Sequence, residues 1–261
     1  MNILEKIVAD KRKEVLLKKE ILTVNMFEKI PFFERKTISL THCLKKSTSG
    51  IIAEFKRCSP SKSIINNTVL IEDVAIGYEQ AGVCGMSVLT DEIYFGGTLD
   101  DLITTRQSCS LPILRKEFII DEFQIIEAKA FGADVVLLIA AILTKEEIKR
   151  FSELAKSLNL EVLLEVHNQE ELHQSIMPSI DMVGVNNRNL KTFEVSLETS
   201  KQLSALIPND FLKISESGIS STEAIKELKL YGYKGFLIGE NFMKTKNPGE
   251  SAEKFIKEIE R

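Results

Sequence analysis

Glu54 and Lys56, Lys116 and Phe118, and Asn186 and Arg188 stand two residues apart, each pair at the end of a short apolar run. In extended backbone, residues two apart share a face. Each run therefore delivers charge, or charge beside an aromatic ring, to one side. A further run ends in Glu165 and His167. An ammonium and carboxylates gathered in one mouth can move protons to and from a bound molecule, which is general acid–base chemistry. A second reading remains open, in which these groups are ion pairs at a rim that perturb one another's pKa and do no chemistry. Convergence of lysines and carboxylates from three separate runs favours the first.

Two later segments point to an anion. Ser217-Gly218 precedes a helix beginning near Ser221, and Gly239-Glu240-Asn241 opens what reads as a short extra helix. Small residues let backbone N–H groups approach a ligand, and helix N-termini favour negative charge. Turn glycine and N-cap serine would explain either segment alone. Together they favour a phosphorylated small-molecule ligand.

The elements that must position these residues alternate strictly. Apolar runs recur at 50–55, 85–89, 112–114, 135–139, 161–166, 182–185, 212–215 and 235–238. Helical periodicity fills 70–81, 99–107, 122–131, 145–158, 169–175, 197–206, 221–231 and 248–259. Strand–helix alternation implies parallel strands joined by crossover helices. Val135-Val136-Leu137-Leu138-Ile139 is apolar at successive positions, as in a sheet covered on both faces. Eight such units fit an α/β fold of the (β/α)8 TIM-barrel type, with the chemistry at the C-terminal strand ends. An open doubly wound sheet is the alternative, but its glycine-rich turn after the first strand is missing, since Glu54-Phe55-Lys56-Arg57 stands there. The expected organisation is one domain over 1–261, with a helical extension at 1–45 and the barrel at 50–261. Ile3, Leu4, Ile7, Val8, Val15 and Leu16 form a partial stripe in the extension. It reads as one or two helices packed on the barrel, or equally as a solvated helix with no role at the site.

Composition narrows the classes further. With 261 residues, 44% hydrophobic and 28% charged, the chain is an ordinary globular sequence and not a disordered one. No apolar run approaches the roughly 18–20 residues of a membrane span, so a cytoplasmic protein with nothing cleaved and no membrane partner is expected. A net charge of −4 supplies no basic field for nucleic acid. Cys43, Cys58, Cys84 and Cys109 show no CxxC spacing, and His42, His167 and His173 are scattered singly.

The segments themselves resemble a known family. Ile52-Ala53-Glu54-Phe55-Lys56-Arg57-Cys58-Ser59-Pro60-Ser61-Lys62 is similar to the first-strand motif of indole-3-glycerol phosphate synthases. Thr90-Asp91 with Phe95-Gly96-Gly97, the block 112–121, Leu164-Glu165-Val166-His167, Asn186-Asn187-Arg188-Asn189-Leu190, Ser215-Glu216-Ser217-Gly218-Ile219 and Ile238-Gly239-Glu240 follow in that family's order. The resemblance implies conversion of 1-(2-carboxyphenylamino)-1-deoxyribulose 5-phosphate to indole-3-glycerol phosphate, with loss of carbon dioxide and water and with no cofactor or metal. It implies Lys116 as general acid on the substrate carbonyl and Glu165 as acid/base in the dehydration. Glu54 and Asn186 would orient the intermediate, and Lys56 and Arg188 would lie near substrate anions. By the same likeness Ser217, Gly218, Gly239 and Glu240 hold phosphate, Ser59 and Pro60 belong to a mobile loop, and Phe95 and Phe118 wall the anthranilate ring.

Chemistry makes these residue types reasonable. Attack of an aromatic carbon on a carbonyl builds negative charge on oxygen, which an ammonium can neutralise and protonate. Such a lysine is expected to have its pKa lowered by Arg115, Lys56 and Arg188, and Glu165 to have its own raised toward neutrality. Departures from the family pattern are Glu117 for Asp, Ser63 for Gly, where a positive φ would be strained, and Asn168 for Asp. Cys58 reads as a packing residue, His167 as a structural hydrogen bond, and the helix at 143–158 as a solvated outer face. Competing functions are a phosphoribosylanthranilate isomerase-like barrel and a non-catalytic phosphate-binding barrel. A monomer or weak homodimer is expected.

Overall fold

Parallel strands made of residues such as Val135-Val136-Leu137-Leu138-Ile139 must lose water on both sides, and the computed structural model, which describes residues 3–190 and 192–261, shows how they do so. The strands are β1 (Ile51–Phe55), β2 (Gly85–Leu89), β3 (Ile113–Lys116), β4 (Val135–Ile139), β5 (Glu161–Val166), β6 (Met182–Asn186), β7 (Leu212–Glu216) and β8 (Gly235–Ile238). They pair in sequence order into a closed barrel, all parallel, with Ile51 of β1 set against Phe236 of β8. The expected α/β class and (β/α)8 barrel are the observed ones.

Side-chain alternation splits each strand between two apolar environments. Ile51, Ala53 and Phe55 of β1, Ile113 of β3 and Leu164 and Val166 of β5 pack outward against the helices. Ile52, Leu114, Leu137, Leu163, Met182, Ile214 and Leu237 pack inside the ring. Each fully buried side chain of this size contributes roughly 1.5–3 kcal/mol. The interior is a filled core, so any ligand must bind above it.

Three strands run further than the apolar pattern suggests. β3 was expected to stop at Leu114, β6 at Val185 and β7 at Ser215, yet the ladder continues through Leu89↔Lys116 and Asn186↔Glu216. A ladder is made by backbone groups, so a polar side chain ends the hydrophobic signal without ending the strand. The added residues are the ones at the mouth.

Before the barrel come α1 (Ile3–Ile21), α2 (Val24–Glu28) and α3 (Leu40–Lys46), more than the one or two helices expected. Ser39 caps α3 by accepting from the His42 N–H. Leu40 and Leu44 of α3 join the interior cluster and close the N-terminal end of the ring. The supposed stripe on α1 is only partly right: Ile7 and Val15 are buried, whereas Leu16 is 64% exposed. The buried face carries Lys11 instead. Outside the ring lie α4 (Ile71–Gln80), α5 (Glu92–Phe95), α6 (Leu99–Ser108), α7 (Glu122–Ala130), α8 (Lys145–Ser157), α9 (Gln169–Ser175), α10 (Glu198–Ser204), α11 (Thr222–Leu230), α12 (Glu240–Met243) and α13 (Pro248–Ile259). On α8, Ile148, Phe151 and Ala155 face inward while Lys145, Glu146 and Lys149 are exposed, as expected of a solvated outer helix. No helix among the described residues is long and apolar enough to cross a membrane.

Candidate active site

Two residues beyond the inward apolar side chains of β1, β3, β5 and β7, the ring interior turns from hydrocarbon to charge. Ile52 is followed on its face by Glu54, Leu114 by Lys116, Leu163 by Glu165, and Ile214 by Glu216. Met182, Gly184 and Asn186 share the inward face of β6, with Met182 level with Leu163 in the apolar core and Asn186 beside Glu216 in the charged layer. This layer floors a cavity of about 550 Å3. All the sequence-selected site residues line it: Glu54, Lys56, Ser59 and Pro60 from β1 and its loop, Phe95, Lys116 and Phe118, then Glu165, Asn186 and Arg188, and finally Ser217, Gly218, Gly239 and Glu240.

Lys116 is the hub. Its Nζ lies 2.9 Å from Glu165 Oε2 and donates to Glu216 Oε2 as well. Glu165 Oε1 accepts from Asn186 Nδ2 at 3.1 Å, and His167 Nε2 lies 3.4 Å from the same oxygen. Lys56 Nζ meets Glu54 Oε1 at 2.7 Å. Asn186 Oδ1 accepts the backbone N–H of Arg188 at 3.0 Å, and the Arg188 guanidinium reaches the Phe193 carbonyl.

The electrostatics reverse two expectations. Burial works against a charged Lys116, but the carboxylates of Glu165, Glu216 and Glu54 outweigh it and raise the ammonium's pKa. Arg115, expected to lower it, turns away: adjacent strand residues leave opposite faces. Its guanidinium is buried outside the ring on Glu127 Oε2 at 2.6 Å. Glu165 is likewise not raised, because Lys116, His167 and Asn186 overcome its burial and hold it below the ordinary carboxylate range. The carboxyl near neutrality is Glu216, pushed up to about 7 by burial and by the charges of Glu165 and Glu54, against the pull of Lys116.

The cup over β7 and β8 is built from backbone. Ser217 and Gly218 both have positive φ, +68° and +78°. A Cβ on Gly218 would come within 2.3 Å of Val195 Cγ1, and one on Gly239 within 2.6 Å of Glu54 Oε1. Gly239 precedes α12, whose N-terminus opens on the cavity. The Glu240 carboxylate is turned to Lys62 Nζ at 2.5 Å, which fastens the loop after β1 to the cup. Ser63 keeps an unstrained backbone, since the described non-glycine residues with positive φ are Asn159, Phe193 and Ser217.

Phe95 and Phe118 pack with ring centroids 6.0 Å apart and form an apolar wall opposite the cup. The N-terminal helix completes it, because Ile3, Leu4 and Ile7 line the cavity and Tyr94 donates to Asp10 Oδ2 at 2.7 Å. Of the two readings of the extension, packing at the site is the observed one. Glu117 is held by Lys11 Nζ at 3.2 Å and by the Thr90 hydroxyl at 2.9 Å, so its extra methylene faces α1 and not Lys116. Cys58 packs against Tyr94 and Gly96 with its thiol pKa raised by burial, and His167 hydrogen-bonds Glu171 at the start of α9. Both fit the packing and structural roles expected of them.

The family described as "Indole-3-glycerol phosphate synthase" matches residues 4–258. The chain belongs to the indole-3-glycerol phosphate synthase family. Relatives carrying that name include one from Bacteroides thetaiotaomicron, 47% identical with 99% of each chain covered. Another, from Aliarcobacter butzleri, is 40% identical over 97% of this chain and 98% of its own. Solved structures with the same fold include KGPDC from Streptococcus mutans, with a TM-score of 0.61 and 15% identity over 81% of this chain and 97% of that one. The 3-hexulose-6-phosphate synthase from Salmonella typhimurium gives 0.63 and 14%, over 80% and 98%.

Within this synthase family member, the residue missed by sequence reasoning is Glu216. Its signal was present: Ile214 packs inside the ring, so the residue two further on must enter the mouth. Serine and glycine beside it drew attention to the backbone instead. The raised carboxyl has a measurable consequence. Glu216 takes up its proton near pH 7 when folded and near 4.5 when unfolded. Its neutral form therefore stabilises the fold at low pH, and that contribution is lost as pH rises from 4.5 through 7. Glu216→Gln is expected to gain stability relative to the parent over that window, by up to roughly 3 kcal/mol. Urea unfolding at pH 5, 6, 7 and 8 reads the difference, and a constant gap across the series would contradict the assignment.

Proposed function

We propose that this barrel closes the indole ring, converting 1-(2-carboxyphenylamino)-1-deoxyribulose 5-phosphate to indole-3-glycerol phosphate in tryptophan biosynthesis. In this reading it is a carboxy-lyase that acts on a phosphorylated small molecule. The observation that carries the reading is the Lys116 ammonium held between Glu165 and Glu216 above the barrel core, with an aromatic wall on one side and a glycine-built cup on the other.

The phosphate sits in the cup, against backbone N–H groups of the Ser217–Gly218 and Gly239–Glu240 loops, with Lys56 and Arg188 neutralising substrate anions. The carboxyphenyl ring lies against Phe95 and Phe118. Lys116 donates its proton to the carbonyl oxygen as the ring carbon attacks, which removes the developing negative charge. Its carboxylate neighbours keep it an ammonium at neutral pH and make it a reluctant acid, so the proton leaves only when oxyanion character builds. Loss of carbon dioxide restores aromaticity and needs no external electron sink. Glu165 then moves the proton required for loss of water, and Glu54 and Asn186 orient the intermediate.

The test is appearance of indole fluorescence when purified protein meets the carboxyphenylamino substrate with no metal or nucleotide added. Turnover of phosphoribosylanthranilate with the first substrate untouched would overturn the reading.

A further inference from the structure

Asn186 and Asn187 are neighbours at the end of β6 and leave it on opposite faces. Asn186 enters the mouth. Asn187, 2% exposed, turns under α10. Its Nδ2 donates to Ser215 Oγ at 2.9 Å and to the Ser217 carbonyl at 3.1 Å. Its Oδ1 accepts from the Ser200 N–H at 3.2 Å and from the Ser200 hydroxyl at 2.8 Å. Four bonds use the whole capacity of an amide side chain. Ser200 is itself anchored, since its carbonyl accepts from the Tyr233 hydroxyl at 2.6 Å.

The Ser217 carbonyl belongs to the same peptide as the Gly218 N–H. In a planar trans peptide those two groups point in opposite directions. Drawing the carbonyl outward to Asn187 therefore turns the Gly218 N–H toward the cavity. The peptide also follows Ser217 at a φ of +68°, a conformation that a residue with a side chain keeps only when its surroundings impose it. Asn187 supplies that restraint and is itself held by Ser200 of α10.

We propose that Asn187 is the positioning residue of the phosphate cup: it orients the Ser217–Gly218 peptide so that the Gly218 N–H faces the anion. The inference rests on the reading of this loop as a phosphate site. Asn187 touches no substrate, so its effect falls on binding of the phosphorylated end and not on the proton transfers at Lys116 and Glu165.

Asn187→Ala is expected to raise KM for the carboxyphenylamino substrate about tenfold, as for loss of an oriented hydrogen bond, with kcat within about threefold of the parent. Competitive inhibition by inorganic phosphate weakens by the same factor. Ser200→Ala removes the hydroxyl that steadies Asn187 both directly and through Ser215, and is expected to shift both quantities in the same direction by about threefold. It carries the test if Asn187→Ala does not fold. A parent protein insensitive to inorganic phosphate would defeat the reading of the cup. A phosphate-sensitive parent whose variants keep its KM and inhibition constant, or lose kcat alone, would defeat the role of Asn187.

Discussion

Replacing Lys116 by alanine lowers kcat at least about a hundredfold, the scale of losing a general acid. The expectation follows from its place as the ammonium shared by Glu165 and Glu216. Lys56 pairs with Glu54 in the same cavity and cannot stand in without breaking that contact. Without Lys116 the buried carboxyls of Glu165 and Glu216 lose their shared cation, and Glu216, which keeps no cationic partner, holds its proton more firmly at neutral pH. Glu216 in the variant should therefore titrate above the parent's value of about 7, visible by infrared difference spectroscopy as a carboxyl band that persists to higher pH than in the parent. Single-turnover measurement of indole fluorescence reads the chemical step directly. Turnover near that of the parent would defeat the assignment of the acid.

Glu165→Gln is the second large effect, again at least about a hundredfold in kcat. Glutamine keeps the shape and can still bond Asn186, but it neither accepts nor stores a proton. If Glu165 serves the dehydration and Lys116 the closure, the two variants fail at different stages. In a single turnover with Glu165→Gln, carbon dioxide is released well ahead of indole fluorescence. Lys116→Ala slows both together. Equal slowing of both signals in the glutamine variant would place Glu165 before decarboxylation and overturn its role.

Much of this architecture could be read from the residues because two rules reach far: apolar runs mark parallel strands, and alternation decides which side chains share a face. Those rules placed Glu54, Lys116, Glu165 and Asn186 around one mouth, where the structure also has them. The same rules decide two further positions. Arg115 is a neighbour of Lys116 in sequence only, since adjacent strand residues leave opposite faces and its guanidinium lies on Glu127. Glu216, two residues beyond the interior Ile214, enters the mouth by the same alternation that carries Lys116 there. The pKa directions were not legible for a different reason. They depend on which oppositely charged groups lie within about 3 Å, and the contact of Lys116 with Glu216 joins residues 100 apart in the chain. Lys11 shows the same limit, because nothing in a helical stripe says that a lysine on its buried face will meet Asp91 and Glu117.

The pairing of β1 with β8 governs the order in which this site can come into being. Ile51 must find Phe236, and Gly239 must settle against Glu54, before either the acid–base layer or the anion cup has a wall on that side. Contacts so distant along the chain are entropically slow to make. Ile51 and Phe236 stand 185 positions apart, so the pairing waits until that length of chain has been made. A chain without β8 would leave the acid–base layer open beside Glu54 and the anion cup without Gly239.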